Sequence, residues 1–331
     1  MQPGVTVAER LRLRLPELTT AERKVARVLM AGYPVAGLEP VARLAAAAGV
    51  SAPTVVRLVA KLSFAGYPEF QQALKTEVSA RLSSPLEIAV GRLSGQESAV
   101  GHLSGQESTV GRLSGQESTA VGRLSGQEST SERPGAAAGG ALPRGERVLC
   151  DGIRSSFAHL PPGEFERAVA LLADTRRGVT LAGGRFSSTL AQYLAVHLRI
   201  LRPRVQLLAA AGPDRVSPLL DVRRRDVFVA FDYRRYQHDT IRLAATAGEQ
   251  GAALIAFTDP YLSPLAAQAD VILTSSVVSP SPFDALTPAM ALVETLIAAL
   301  VDRLGDAPRA RMARYDELTG GTVASEMEAP P

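Results

Sequence analysis

The sequence predicts two domains, an all-helical bundle followed by an α/β three-layer domain built on a parallel sheet. Three observations carry this. Residues 1–82 hold short apolar stripes at helical spacing, bounded by capping residues. Over residues 144–310, apolar runs alternate with amphipathic stretches, the pattern of buried parallel strands covered by helices on both faces. Between the two, residues 83–143 change composition and begin to repeat.

In the first domain, Thr19 and Glu22 form a capping-box signature ahead of a stripe through Val25, Val28 and Leu29. Leu38, Val41, Leu44 and Ala45 make a second stripe, which Gly49 ends. Ser51 is placed to cap a third helix, with Pro53 in its first turn and Val55, Leu58, Val59 and Leu62 facing inward. Two short helices joined by a tight turn at Gly49-Val50 read as a helix-turn-helix unit. In that geometry the last helix enters the major groove of double-stranded DNA. The outward positions are then Ser51, Ala52, Thr54 and Arg57. Arg57 suits a bidentate contact to guanine, and Ser51 and Thr54 are placed for bases or phosphates. Lys61 and Arg43 are better placed for phosphates, which position a protein without reading sequence.

Charge agrees with this reading. Residues 1–82 carry 11 Lys and Arg against 6 Asp and Glu, whereas the rest of the chain is close to balance at 25 against 27. A basic first quarter points to a polyanionic partner. No stretch is apolar for long enough to span a membrane, and the arginine-threaded N-terminus lacks the apolar core of a secretory signal. The single cysteine, Cys150, excludes an internal disulfide framework and is expected as a small buried hydrophobe in a cytoplasmic protein.

The intervening segment contains GRLSGQES at 91–98 and returns to it at 101–108 (with His102 for Arg), 111–118 and 122–129. The period is ten residues, then eleven, and each unit offers one or two apolar side chains. So few cannot offset the entropy of ordering the segment, and 83–143 is expected to be a flexible linker. Such a tether would leave coupling between the domains to dimerisation and effective concentration. The C-terminal residues 311–331 are expected to form a disordered tail.

In the second domain the predicted order is GVTLAGG and a helix over 187–201, RVQLLAA and a short helix near 214–223, DVFVAFDY and a helix over 237–250, ALIAFTD, DVILTSS, and a closing helix over 284–304. Three loops leave the carboxyl ends of these strands, where α/β sheets bind ligands. The first offers Gly183, Gly184, Arg185, Ser187 and Ser188. The second offers Asp232, Arg234 and Arg235, and the third Thr258, Asp259 and Ser263. A helix N-terminus and several guanidinium groups favour a small anionic metabolite as the effector.

The LTTAERKVARVLM stretch, the GVSAPTVVRLVAKL helix pair and the FAGYPEF after it resemble the MurR/RpiR family of bacterial transcriptional regulators. The strand order and TDPYLSPLAAQADVIL are similar to a sugar isomerase (SIS) domain. This resemblance implies binding to operator DNA as a homodimer or homotetramer, with a phosphosugar-like metabolite in the SIS domain. It also exposes two departures. SIS domains usually carry Gly-x-Gly-x-Ser after the first strand, and here Arg185 stands in place of the second glycine. They usually carry Ser-x-Ser-Gly-x-Thr at the next ligand-binding strand end, and here residues 232–237 read DYRRYQ. Of the family's phosphate-site hydroxyls only Ser187 carries over, and the bulkier residues are expected to narrow or fill the pocket.

A rival reading is a phosphosugar isomerase, and a third is an SIS assembly module whose helices bind a protein. Isomerisation needs a base beside the substrate carbonyl, whereas His197, His238, Glu249 and Glu294 all fall on predicted helices. The residues therefore predict no catalytic set, no metal ligands and no cofactor, and a regulator rather than an enzyme.

Overall fold

The computed structural model describes residues 5–88, 140–209, 212 and 215–327. The ten-residue repeats, and with them most of the expected linker, lie outside the described residues. The first domain comprises α1 (Val7–Arg14), α2 (Thr20–Ala31), α3 (Val35–Leu38), α4 (Val41–Ala48), α5 (Ala52–Lys61) and α6 (Tyr67–Leu82). Thr19 and Glu22 form the predicted capping box in full. Thr6 and Glu9 form a second one, which starts α1; the sequence reading overlooked it although the signature is the same. Gly49 ends α4 in the left-handed conformation, at φ 61°, where a side chain would be strained. Val55, Leu58, Val59 and Leu62 all lie in the core, together with Leu44, Leu29, Phe70 and Leu74.

The second domain continues with α7 (Ala141–His159), α8 (Pro162–Ala173), β1 (Val179–Gly183), α9 (Ser188–Leu201), β2 (Val205–Leu207), β3 (Val227–Phe231), α10 (His238–Glu249), β4 (Ala253–Thr258), β5 (Val271–Thr274), α11 (Thr287–Leu304) and α12 (Ala307–Met327). The five strands are parallel in the order β2-β1-β3-β4-β5. Alternate side chains face opposite layers. Val229, Phe231, Ile255 and Phe257 pack toward residues of α8, α9 and α11, while Phe228, Ala230, Leu254 and Ala256 pack toward α10. The predicted three layers are therefore present. Because β1 leads outward to β2 while β3 lies on its other side, the order reverses between β1 and β3, and a crevice opens there at the strand ends.

Four expectations need correction. α7 begins at Ala141, inside the segment read as linker. The supposed tail is helical to Met327; in the first turns of that helix Met312 packs against the core and the Arg311 guanidinium donates to the Arg199 carbonyl at 2.7 Å. Cys150 is only partly buried, since it lies on a helix with little of its surface in the core. Finally, the helical domain does not depend on the linker for its link to the sheet. It packs on it directly: Ala8 joins Leu262 and Ala266 in a small apolar cluster with Met30, Tyr33 and Ile272. Thr6 Oγ1 donates to Pro260 O at 3.0 Å, and the buried Arg12 guanidinium donates to Thr274 Oγ1 at 3.2 Å and to Ile272 O.

The seam also holds a buried carboxyl. Glu77 accepts from Val7 N at 2.7 Å and from the Tyr33 hydroxyl, and burial pushes its carboxyl up from 4.5 to about 7. The folded chain thus keeps a proton that the unfolded chain releases near 4.5. The contribution of this group to stability is present at acidic pH and falls as pH rises through about 4.5 to 7. Glu77→Gln, which cannot ionise, is expected to lose less stability than wild type between about pH 5 and about pH 7.5, read as the difference in denaturant midpoint. Parallel pH profiles for the two proteins would refute it.

Candidate DNA interface and effector cleft

The helices α4 and α5 cross at 101°, within the range of helix-turn-helix units. The amphipathic sequence of α5 buries one face and leaves the other to solvent. Ser51, Pro53, Val56, Arg57, Ala60 and Lys61 are exposed, and Ala52 is half-buried. Thr54 departs from its predicted outward role. It is buried, with its hydroxyl 3.1 Å from both Ser51 Oγ and Arg57 Nη2, so it sets the start of the helix and steadies Arg57. Ser51 occupies the N-cap, but its hydroxyl meets Thr54 rather than a backbone N–H. Lys61 is paired with Glu22 at 2.7 Å, and the mostly exposed Arg43 stands 3.8 Å from Glu39. Val56, exposed in mid-helix, was missed because an apolar residue on α5 reads as core; an apolar side chain there suits a thymine methyl.

In the crevice between β1 and β3 lies a cleft of ≈ 370 Å³, lined by residues 184–187, by Asp232, Tyr233, Arg234, Arg235 and Gln237, and by Phe283, Asp284 and Leu286. Two of the three predicted loops meet here. Gly184, Arg185, Ser187, Asp232, Arg234 and Arg235 line it as a group; Gly183, Ser188, Thr258 and Ser263 do not. Gly183 instead allows the close β1–α9 turn, since a Cβ there would lie 2.5 Å from the Ser188 backbone. Ser188 points its hydroxyl at Arg185 O, 3.5 Å away.

The third loop supports the second from behind. Thr258 Oγ1 accepts from Ser263 N at 3.0 Å, and Ser263 Oγ donates to Asp232. Asp232 also accepts from Gln237 N at 3.0 Å, at the start of α10, and burial raises its pKa. A protein carboxylate thus occupies the head of the helix where an anion would bind. Asp259 fixes the same loop, accepting from Arg234 N at 2.7 Å, Tyr236 Oη at 2.8 Å and Tyr261 N at 2.9 Å. Its carboxyl is pushed up to about 6 by burial.

Ser187 also needs correction. Its hydroxyl is buried, donates to Phe231 O at 2.7 Å and accepts from Gly184 N at 2.9 Å. It ties the β1 loop to the end of β3 and has little left to offer a phosphate. The exposed cations at the cleft are Arg185 and Arg235, beside the exposed rings of Phe186 and Phe283. Phe283, Asp284 and Leu286 escaped the sequence reading because they come from the irregular segment after β5, not from one of the three loops.

Among the described residues no group of three or more His, Cys, Asp or Glu is arranged to hold a metal ion. Among the same residues no single helix is long and apolar enough to cross a membrane.

Comparison with known proteins agrees with both halves. Residues 5–81 match the helix-turn-helix domain of the rpiR family, and residues 171–299 match the SIS domain. The HTH-type transcriptional regulator HexR of Pseudomonas aeruginosa is 42% identical over 76 residues, which cover 23% of this chain and 25% of that protein; the chain spans about a quarter of that relative's length. The sugar isomerase domain of an RpiR transcription factor from Sphaerobacter thermophilus is 24% identical over 53% of this chain and 98% of its own, with a TM-score of 0.50. The Vibrio vulnificus NanR protein, solved with ManNAc-6P, is 15% identical over 96% of this chain and 100% of its own, with a TM-score of 0.47. The chain thus joins a helix-turn-helix domain of the rpiR family to an SIS domain built on a five-stranded parallel sheet.

Proposed function

We propose that this protein is a transcriptional regulator that binds operator DNA through α5 and a small anionic, phosphosugar-like metabolite in the cleft between β1 and β3. The observation that carries the reading is the free face of α5, with Arg57 steadied by Thr54 at 3.1 Å, in a domain whose basic excess is absent from the rest of the chain. The DNA contacts fall to Ser51, Ala52, Val56 and Arg57 for bases, with Arg43 and Lys61 near phosphates. Arg185, Arg234 and Arg235 give the cleft its cations. In this reading the regulator acts as a homodimer or homotetramer in the cytoplasm, uses no cofactor, and comprises a DNA-binding domain over 1–82, a linker, and an effector domain from about 144 to 310.

Catalysis is not part of it. An aldose–ketose isomerase needs a base at the substrate carbonyl; no His or Glu lines the cleft, and its two aspartates are engaged within the protein, Asp232 by Ser263 and Gln237 and Asp284 by Arg234. His197 Nδ1 lies 2.8 Å from Tyr193 O, and Glu294 faces the Tyr193 hydroxyl at 3.3 Å. Fluorescence anisotropy with DNA fragments from around its own gene tests the proposal. Wild type is expected to prefer one fragment, and its affinity to fall steeply as salt rises. Arg57→Ala is expected to weaken that binding by about 10- to 100-fold and to relax its selectivity. Equal affinity for every fragment, or an Arg57→Ala protein that binds as wild type does, would count against it.

A further inference from the structure

Arg234 joins the cleft, the segment behind it and the helical domain through one guanidinium. Nη1 donates to the Ala80 carbonyl in the last turn of α6 at 2.9 Å, capping a helix end where a cation is favourable. Nη2 donates to Asp284 Oδ1. Nε is buried and meets no acceptor. Beside this group Arg81 lies over the Tyr236 ring, 4.6 Å from its centroid, so the same loop holds α6 at two points.

A guanidinium presents Nε and Nη2 as one fork, which a carboxylate or phosphate fills with two parallel hydrogen bonds. Asp284 fills only half of it. A buried N–H without an acceptor is costly, and Arg234 and Asp284 both line the cleft. Asp284 lies in the irregular chain between β5 and α11 rather than in a strand or helix.

From this we infer that Asp284 is a built-in occupant of the position taken by the effector's oxyanion. The ligand's carboxylate or phosphate displaces Asp284 and bridges Nε and Nη2 of Arg234. The exchange takes place on the guanidinium that also holds α6, hence at the seam with the helical domain. The inference rests on the cleft being the effector site. It differs from the family phosphate loop in placing the anion on an arginine side chain rather than on serine and threonine hydroxyls.

The test is calorimetric titration of the full-length protein with inorganic phosphate, fructose 6-phosphate and citrate, comparing wild type, Asp284→Asn and Arg234→Lys. Asp284→Asn removes the competing charge and keeps the shape. It is expected to tighten the best-bound probe by about tenfold, since a charge-assisted bond is replaced by a neutral one. Arg234→Lys keeps a charge but loses the fork, and is expected to weaken binding by about tenfold or more. A pair that served only to hold the fold would not improve binding when broken. The ranking of phosphate, the sugar phosphate and citrate tells which oxyanion fits. If wild type binds a probe and Asp284→Asn binds it no better, or Arg234→Lys equally well, the inference is overturned while the cleft stands as the effector site. If neither wild type nor Asp284→Asn binds any of the three, the inference and that reading fall together.

Discussion

Gly183→Ala is expected to destabilise the protein by about 3 kcal/mol, the upper end of what overpacking usually costs. Gly183 is the last residue of β1, and a Cβ on it would lie 2.5 Å from both Cα and N of Ser188 and 2.7 Å from the carbonyl carbon of Ser187. These are backbone atoms at the start of α9, so no rotamer change can relieve the contact. Either the strand end or the helix start must move. That movement would also disturb the Gly184–Ser187–Phe231 hydrogen bonds that shape one wall of the cleft. Gly184→Ala provides the contrast. A Cβ there meets Gln237 Cδ at 3.2 Å and Ser187 Oγ at 3.3 Å, tight contacts rather than overlaps with backbone, and a cost of about 1 kcal/mol is expected. Denaturant unfolding of the two variants beside wild type checks this, and equal losses would mean that the β1–α9 turn is not the constraint described.

The second large effect is expected at the seam. Arg12→Ala removes a buried side chain, only 5% exposed, whose guanidinium donates from α1 to Thr274 Oγ1 and Ile272 O on β5. Two acceptors lose their partner, and Glu9, which lies near Arg12, loses a compensating charge. Two buried hydrogen bonds from a charged donor are lost, and a cost of about 3 kcal/mol is expected. Because Arg12 bridges the two domains, the loss should appear as separation of their unfolding rather than as a uniform shift. Calorimetry is expected to show the helical domain melting in its own earlier transition in Arg12→Ala. A single transition at the wild-type temperature would show that the apolar cluster of Ala8, Leu262 and Ala266 holds the domains together without it.

These two sites differ in how far the sequence announced them. A glycine pair between an apolar strand and a serine-led helix is a local signal, and it led to the β1 turn directly. Arg12 gave no such signal, because its acceptors lie more than 250 residues away and a charged residue in an arginine-threaded helix reads as solvated. The same distinction runs through the effector site. The loops after β1 and β3 were identified from strand ends alone, since parallel strands empty into ligand-binding loops. Which side chains remain available in them was not legible. Ser187, Thr258 and Ser263 look like ligand hydroxyls in the sequence, and each is committed to a hydrogen bond within the protein. Arg234, read as a free cation beside Arg235, is held by Asp284 and Ala80.

The capped start of α2, the left-handed turn at Gly49, the buried face of α5 and the parallel α/β layout were legible in the residues alone. These depend on capping chemistry, backbone freedom and hydrophobic period, all of which act over a few residues. Which polar groups pair, the continuation of α12 through the expected tail, and the seating of α1 and α6 against the sheet domain emerge with the folded chain. Pairing of buried polar groups is set by whichever partner the fold brings within hydrogen-bonding distance, and those partners lie tens to hundreds of residues away in the chain.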